Sequence, residues 1–382
     1  MKYLRLVLAN LLRSKRRTFL TVFSIAVALF LFCTLRTVIT SFEAAMRASN
    51  ATRLVVRHAA SLVFPLPLAY RERLAQVPGV TGITYGNWFG GYYQDPKNQF
   101  AQFAMDVSTF DALFPECVVS EPEKEAFRAE RTACIIGRSL ARKYGWKIGD
   151  EIPIIGTIFP GEWRFTVRGI YTGATKDVDE NTLFFHWDYL DQSLPAGRRS
   201  LVGLYWLRIA SPDLAPAVSR RVDAIFENSA QPTKTETEKA FQAGFISMLG
   251  NVRLLLTIIG SAIVFAILLV TINTMMMAAR ERTAEIAILK SLGFGDGRIL
   301  FLVGAEAVLL SLAGGLLGSG LAALVFHESD FTGGGFFPNF RVLPETVVLG
   351  LGLALVMGIV SGIVPAIQAA RLRVADAIRK VA

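Results

Sequence analysis

Four long apolar runs constrain this chain more than any other feature of its sequence. They cover residues 18–39, 254–277, 300–326 and 347–367. A helix needs about 20 predominantly apolar residues to cross the hydrocarbon core of a bilayer, so each run predicts a transmembrane helix. The first run could instead be a cleaved signal peptide, although it is long for one and no small-x-small cleavage site follows it.

The stretch between the first two runs has a different character. Hydrophobic residues make up 52% of the chain, which is too many for a soluble protein and too few for a chain that is all membrane. Residues 42–250 contain no membrane-length run and hold most of the prolines and tryptophans. We therefore predict an integral membrane α-helical protein with four transmembrane helices and one large soluble domain, which is long enough to bury its own core.

Basic residues indicate how the helices are oriented. Cytoplasmic segments of membrane proteins carry an excess of Lys and Arg close to the spans. Such residues crowd into segments 1–17, 278–299 and 368–382, whereas segment 327–346 holds only Arg341. Both termini and the 278–299 loop are therefore expected in the cytoplasm, and residues 42–250 outside it. The expected location is the inner membrane of a bacterium, with the large domain in the periplasm.

The segment before the first run has helical periodicity. Leucine and valine recur on one helical face, and the charged residues lie off it, which favours a helix in the cytoplasmic membrane surface over residues 1–17. The alternative is a plain cytoplasmic extension of the first span. The residues of the apolar face are Leu4, Val7, Leu8, Leu11 and Leu12.

Strand-like and helix-like patterns alternate in the large domain, which predicts an α+β fold. Segments 36–50 and 233–250 look helical and polar, and they would prolong the first and second spans as a stalk. Helical patterns are expected at 66–76, 108–114, 138–144 and 213–228. The predicted strands are Arg53–Arg57, Val80–Tyr85, Gln102–Val107, Ala133–Ile136, Glu151–Ile155, Trp163–Tyr171, Thr182–His186 and Leu204–Ile209.

Composition also excludes several classes of function. The net charge is +9, but the basic residues flank apolar runs, which is typical of membrane proteins and not of a nucleic-acid groove. No spacing of cysteine and histidine fits a metal site, and no catalytic constellation is visible. A disulfide between Cys117 and Cys134 stays open if their domain lies outside the cytoplasm.

Glycines recur in the third and fourth runs. Small residues at such spacing let helices approach closely in lipid, although membrane helices also tolerate glycine without any special role. These glycines are Gly314, Gly315, Gly318 and Gly320 in the third run, and Gly350, Gly352, Gly358 and Gly362 in the fourth.

Three motifs resemble a known family of permeases. RTACIIGRSLARKYGWKIGDEIPIIG at 131–156, followed by FTVRGIY at 165–171, resembles the periplasmic core domain of MacB. ARERTAEIAILKSLGFGDGRI at 279–299 is similar to the cytoplasmic loop of FtsX-like permeases, and residues 365–379 continue that likeness. The chain thus resembles the MacB/FtsX-like ABC transporter permeases, the type VII ABC fold.

The resemblance implies a coupling helix within residues 279–293 that docks into an ATPase. The residues agree with an amphipathic helix, since Ile286, Leu289 and Gly293 share one helical side that Ile288 and Leu292 widen, with Gly293 as its stop. The alternative is an interfacial loop helix without a partner. The expected ATPase-coupling residues are Glu281, Arg282, Glu285, Ile286, Leu289, Lys290 and Gly293.

Glu306 lies inside the third run near its cytoplasmic end. Carboxylates in the membrane are costly and are often functional. At one to two turns from the interface this one can reach water or an arginine. A structural pairing is therefore favoured over a role in proton or substrate handling.

No G-x-x-x-x-G-K-[ST] phosphate loop occurs in the sequence. The chain is therefore expected to be a membrane subunit and not an enzyme, with no cofactor of its own. It would be a split type without a fused ATPase, whose ATP and Mg²⁺ bind a separate ATPase dimer. A second permease chain, identical or different, completes the expected complex. Whether a periplasmic adaptor and an outer-membrane channel join it stays open.

The resemblance also implies mechanical coupling of ATP hydrolysis to movement of the periplasmic domain, which would drive export or extraction from the periplasm or the outer leaflet. One alternative is a lipoprotein-releasing permease. Another is an FtsX-like signalling permease that activates a cell-wall hydrolase, although the outer domain of that branch is usually smaller. The sequence does not indicate the cargo.

Overall fold

The computed structural model describes residues 13–176, 178–248, 251–326 and 340–372. The chain divides into a membrane unit, residues 1–39, 251–329 and 341–382, and a sheet unit, residues 40–250 and 330–340. The surface helix predicted for residues 1–17 lies largely outside the described residues, as do most of the predicted 327–346 loop and the tail beyond residue 372.

Helices and strands alternate through the sheet unit, and helices alone form the described part of the membrane unit. The helices are α1 Lys15–Ala48, α2 Tyr70–Ala75, α3 Phe110–Leu113, α4 Glu121–Ala129, α5 Arg138–Tyr144, α6 Trp187–Ser193, α7 Ala215–Phe226, α8 Glu238–Met248, α9 Val252–Glu281, α10 Thr283–Ser291, α11 Asp296–Val325 and α12 Pro344–Ala370. The strands are β1 Arg53–His58, β2 Leu66–Pro67, β3 Val80–Trp88, β4 Gly91–Tyr92, β5 Ala101–Met105, β6 Cys117–Val118, β7 Ala133–Gly137, β8 Glu151–Gly156, β9 Gly161–Gly173, β10 Thr182–His186, β11 Leu201–Val202, β12 Leu204–Ile209 and β13 Thr233–Thr237.

Among the described residues, four helices are long and apolar enough to cross a membrane: α1, α9, α11 and α12. Each coincides with one of the four apolar runs, and only the third run extends one residue past its helix. The helix α1 runs unbroken to Ala48, nine residues past the end of the first apolar run at residue 39. The short helix α10 lies between α9 and α11, in the loop predicted to be cytoplasmic.

Glycines of α11 allow it to pack closely against two neighbouring helices. A Cβ atom on Gly318 would lie 2.2 Å from the carbonyl oxygen of Ala26 in α1, and one on Gly315 would lie 2.5 Å from the Cβ of Ala354 in α12. No side chain fits at those distances. The predicted close approach of glycine-bearing helices is therefore confirmed at these two positions.

One large mixed sheet organises the sheet unit. Its strand order is β13-β1-β12-β3-β5-β10-β7-β9-β8-β4, with β6 paired to β9. Most neighbours are antiparallel, whereas β5 with β10 and β7 with β9 are parallel. The helices connect these strands, so the predicted α+β class is confirmed, as are all eight predicted strands.

The segment 233–250 differs from its prediction. Residues Thr233–Thr237 form the edge strand β13 against β1, and only the following α8 is helical. The sequence TKTET is polar enough to suggest a helix end, but its β-branched threonines suit an edge strand that is exposed on one side. Asp223 in α7 holds this strand by accepting hydrogen bonds from the Thr233 and Thr235 hydroxyls at 3.1 and 2.7 Å. The predicted helix over 233–237 is wrong.

The sheet buries a hydrophobic cluster on each face, because successive side chains of a strand point to opposite sides. Leu54 and Val56 of β1 belong to one cluster, and Val55 belongs to the other. The two cysteines whose pairing was open are divided in the same way, with Cys134 in the first cluster and Cys117 in the second. Both are free thiols here, and burial raises the pKa of each.

Candidate functional site

The short helix α10 and the side chains around it form the candidate site. Its sequence sets both ends. Glu285 lies in the first turn and Lys290 in the last, where each complements the helix dipole. Gly293 has a φ of +90°, its N–H donates to the Lys290 carbonyl, and the N–H of Phe294 donates to the Leu289 carbonyl. These two bonds make a Schellman motif, and Gly293 ends the helix as predicted.

One apolar side of α10 packs inside the membrane unit. Ile286 is buried in a cluster with Ile299 of α11 and Ala369 of α12, and Phe294 packs against the same cluster. Leu289 is half-buried beside them. The predicted docking side, with Ile286 and Leu289 at its centre, is thus the side that holds the helix to its own unit.

The exposed apolar side of α10 is not the side that carries Ile286. Ile288 is 60% exposed and Leu292 is 72% exposed, and the two are four residues apart, so they share a helical face. In the sequence pattern, both residues lie at the edge of the predicted docking side. Ile288 in α10 and Leu292, which caps its C-terminal end, are the most exposed apolar side chains of this segment.

Charged residues that are predicted to meet a partner form ion pairs and hydrogen bonds within the membrane unit. Arg282 donates to Glu306 of α11 at 2.8 Å and to Glu285 at 3.1 Å. The Nζ of Lys290 donates to Asp296 at 2.7 Å and to the carbonyl oxygen of Leu372 at 2.9 Å. Glu306 is 5% exposed, and its pairing with an arginine is the structural role that its position favoured.

The remaining predicted residues lie toward the N-terminal end of α1. Glu281 accepts a hydrogen bond from Arg17 at 2.6 Å, and Glu285 also pairs with Arg13. These arginines and Asp296 were not among the predicted site residues. Spacing along the chain could not reveal them, because the pairs of Arg17 with Glu281 and of Arg13 with Glu285 join residues more than 260 positions apart.

A second charged cluster, in the sheet unit, was also missed. Arg53 of β1 is 3% exposed and donates to both carboxylate oxygens of Glu238 at 3.0 Å. It also donates to Glu116 at 2.5 Å, and its guanidinium lies 4.4 Å from the centre of the Phe114 ring. Glu238 further accepts from the backbone N–H of Asn50. The cluster therefore ties the start of the sheet unit to its end.

Within the described ranges, no group of three or more His, Cys, Asp or Glu side chains is placed to hold a metal ion. The buried thiols of Cys117 and Cys134 have a raised pKa because burial disfavours the thiolate. Neither is therefore placed as a reactive nucleophile.

Comparison with known families agrees with this architecture. The profile of the MacB-like periplasmic core domain matches residues 18–225, more than half of the chain. The chain belongs to the MacB/FtsX family of ABC transporter permeases. The profile of the FtsX-like permease C-terminal domain matches residues 257–374, which include α10. This MacB/FtsX permease is a multi-pass membrane protein with a domain of the periplasmic core type.

Individual relatives of this permease are distant. The macrolide export ATP-binding/permease protein MacB of Shewanella oneidensis is 26% identical over 307 residues, which are 75% of this chain and 41% of that protein. An uncharacterised ABC transporter permease of Methanocaldococcus jannaschii is 22% identical over 320 residues, 81% of this chain and 78% of that one. This permease thus spans less than half of the length of that MacB protein.

A solved structure gives one further comparison. The periplasmic region of MacB from Actinobacillus actinomycetemcomitans matches 54% of this permease with a TM-score of 0.37 and 8% identity, over 96% of its own chain.

Proposed function

We propose that this permease passes the work of an ABC ATPase across the membrane as movement. The ATPase docks on α10, and its closure on ATP displaces the helix. The spans carry the displacement to the sheet unit. The observation behind this proposal is that α10 exposes Ile288 and Leu292 while its other side is bound to α11 and α12. A docked partner would therefore push on the spans themselves.

The proposed location is the bacterial inner membrane, with α10 and both termini in the cytoplasm and the sheet unit in the periplasm. The distribution of Lys and Arg supports this orientation. ATP is hydrolysed in the cytoplasm, so the orientation also places α10 where an ATPase can reach it. An ATPase dimer offers two docking sites, which favours a complex of two permease chains. ATP and Mg²⁺ would bind the ATPase.

The transported cargo leaves from the periplasm or the outer leaflet in this proposal. Movement of a domain outside the cytoplasm can expel such a cargo without a path through the bilayer. An adaptor and an outer-membrane channel recovered with the complex would support export. Recovery of a lipoprotein carrier would indicate lipoprotein release instead of export. Recovery of a cell-wall hydrolase would indicate a signalling function instead.

Docking is tested by placing a carboxylate on the exposed side of α10. Ile288→Asp and Leu292→Asp should each lower co-purification of the ATPase about tenfold or more, because a charge would enter a desolvated contact. Val63→Asp is the matched control, since Val63 is 86% exposed in the sheet unit. Undiminished recovery of the ATPase with both α10 variants would refute docking on this face. Leu289→Asp is less diagnostic because Leu289 is half-buried.

A further inference from the structure

A buried ion pair fixes the N-terminal end of α10 to a membrane span. Arg282 stands between α9 and α10, where it ends the first helix and precedes the second. Its Nη1 lies 2.8 Å from a carboxylate oxygen of Glu306, while its Nε lies 3.1 Å from Glu285. Glu306 is 5% exposed, so its carboxylate is shielded from bulk water and is compensated by this arginine.

A separate set of bonds fixes the other end of α10. The Lys290 ammonium, whose side chain is 12% exposed, donates to the carbonyl oxygens of Ala370 and Leu372 and to Asp296. Ala370 ends α12, and the last carbonyls of a helix lack partners within the helix. The short helix α10 is therefore held at its start by α11 and at its end by α12.

Both attachments restrict a motion that apolar contacts allow. Apolar contacts such as those of Ile286 are non-directional, so they permit the helix to roll. A guanidinium bonded to two carboxylates has a defined orientation. The Arg282 contacts therefore resist rotation of α10 at its N-terminal end, and the rotation decides whether Ile288 and Leu292 face outward.

We infer that Glu306 is a positioning residue that acts through Arg282 to hold α10 in its docking orientation. The inference rests on the proposed function, because it concerns the helix on which the ATPase would dock. It gives the intramembrane carboxylate a role in coupling that does not involve the cargo. Loss of the carboxylate does not alter the docking side chains Ile288 and Leu292 themselves, but it lets the helix that carries them rotate.

The first experiment measures α10 without any ATPase. A spin label on Ser291→Cys, an exposed position of α10, reports helix mobility in full-length chain in lipid nanodiscs. The three native cysteines are buried, so labelling is selective. Glu306→Gln should mobilise the label, and Glu306→Asp should restore part of its order. Glu345→Gln, the same change at an exposed residue of α12, should leave the spectrum unchanged.

A double variant separates positioning from mere stability. Removing one member of a buried ion pair leaves an uncompensated charge, whereas removing both is often neutral for folding. Arg282→Gln with Glu306→Gln should therefore fold as well as the wild type and still show a mobile label. A label as ordered in this double variant as in the wild type would overturn the inference. This comparison stays valid even if Glu306→Gln alone fails to fold.

The second experiment adds the ATPase. The double variant should lower the stimulation of ATP hydrolysis by the permease about 2- to 30-fold, the range for disturbed coupling, while ATPase recovery falls less. Unchanged stimulation together with a mobile label would overturn the coupling role of Glu306. If instead Ile288→Asp and Leu292→Asp leave ATPase recovery intact, the proposed docking fails. The label spectra still decide whether Glu306 orients α10.

Discussion

Arg53 shows how much one buried charge can depend on its partners. Its guanidinium is almost fully buried between Glu116 and Glu238, with the Phe114 ring beneath it. Such a side chain depends on its partners, because Arg53 and Glu238 have lost most of their contact with water. The residue connects β1 to the start of α8, 185 positions further along the chain, so it holds these two segments of the sheet unit together.

Replacement of Arg53 by methionine should lower the free energy of unfolding of the sheet unit by about 3–5 kcal/mol, since the buried Glu238 and the partly buried Glu116 would lose their counter-charge. Denaturant unfolding followed by tryptophan fluorescence measures the loss, because all five tryptophans lie in the sheet unit. Arg164→Met, at an exposed pair with Glu151, should leave the transition where it is. Equal transitions for the two variants would contradict the structural role given to Arg53.

At the level of elements, the glycines of α11 divide into two kinds that the sequence presents alike. Gly318 faces the backbone of α1, where a Cβ would lie 2.2 Å from an oxygen of Ala26. Gly320, two residues on, has no such neighbour within 4 Å. A Cβ on Gly314 would also meet α1, at 2.7 Å from the Cβ of Ile25. The packing of α1 on α11 therefore requires glycine at Gly314 and Gly318 but not at Gly320.

We expect Gly318→Ala to destabilise the membrane unit by about 1–3 kcal/mol, the usual cost of overpacking. Gly320→Ala should be neutral or slightly stabilising, because alanine favours a helix. The thermal unfolding midpoint of the full chain in one detergent compares the two variants directly. A lower midpoint for Gly320→Ala than for Gly318→Ala would mean that the helices pack through another face.

The short helix α10 shows where periodicity stops being informative. Ile286, Ile288, Leu289 and Leu292 make both sides of the helix apolar, so the pattern cannot tell which side faces the spans. The side that faces the spans is decided by Ile299 and Ala369, because Ile286 packs against them. Lys290 and Arg282 likewise look like surface charges in the sequence, although both donate to groups on neighbouring helices.

For the whole molecule, the proposed topology predicts which surfaces can be labelled from each side of the membrane. A membrane-impermeant maleimide added to intact spheroplasts should label Val63→Cys in the sheet unit. It should label Leu292→Cys on α10 only after the membrane is opened, because a cytoplasmic loop is shielded from the reagent. Both positions are largely exposed, so differences in burial do not confound the comparison. Labelling of Leu292→Cys in intact spheroplasts would reverse the topology.

The sequence by itself determined the number of spans, the α+β class of the soluble domain and the family, because apolar run length, alternation and motif spacing are local properties. It also predicted all eight long central strands, and the Gly293 helix stop. Only the tertiary structure decided that Ile288 and Leu292 are the exposed side of α10, that Glu306 binds Arg282, and that Arg53 binds Glu238. The physical reason is that burial and charge pairing depend on segments distant in the chain, whose approach no local pattern records.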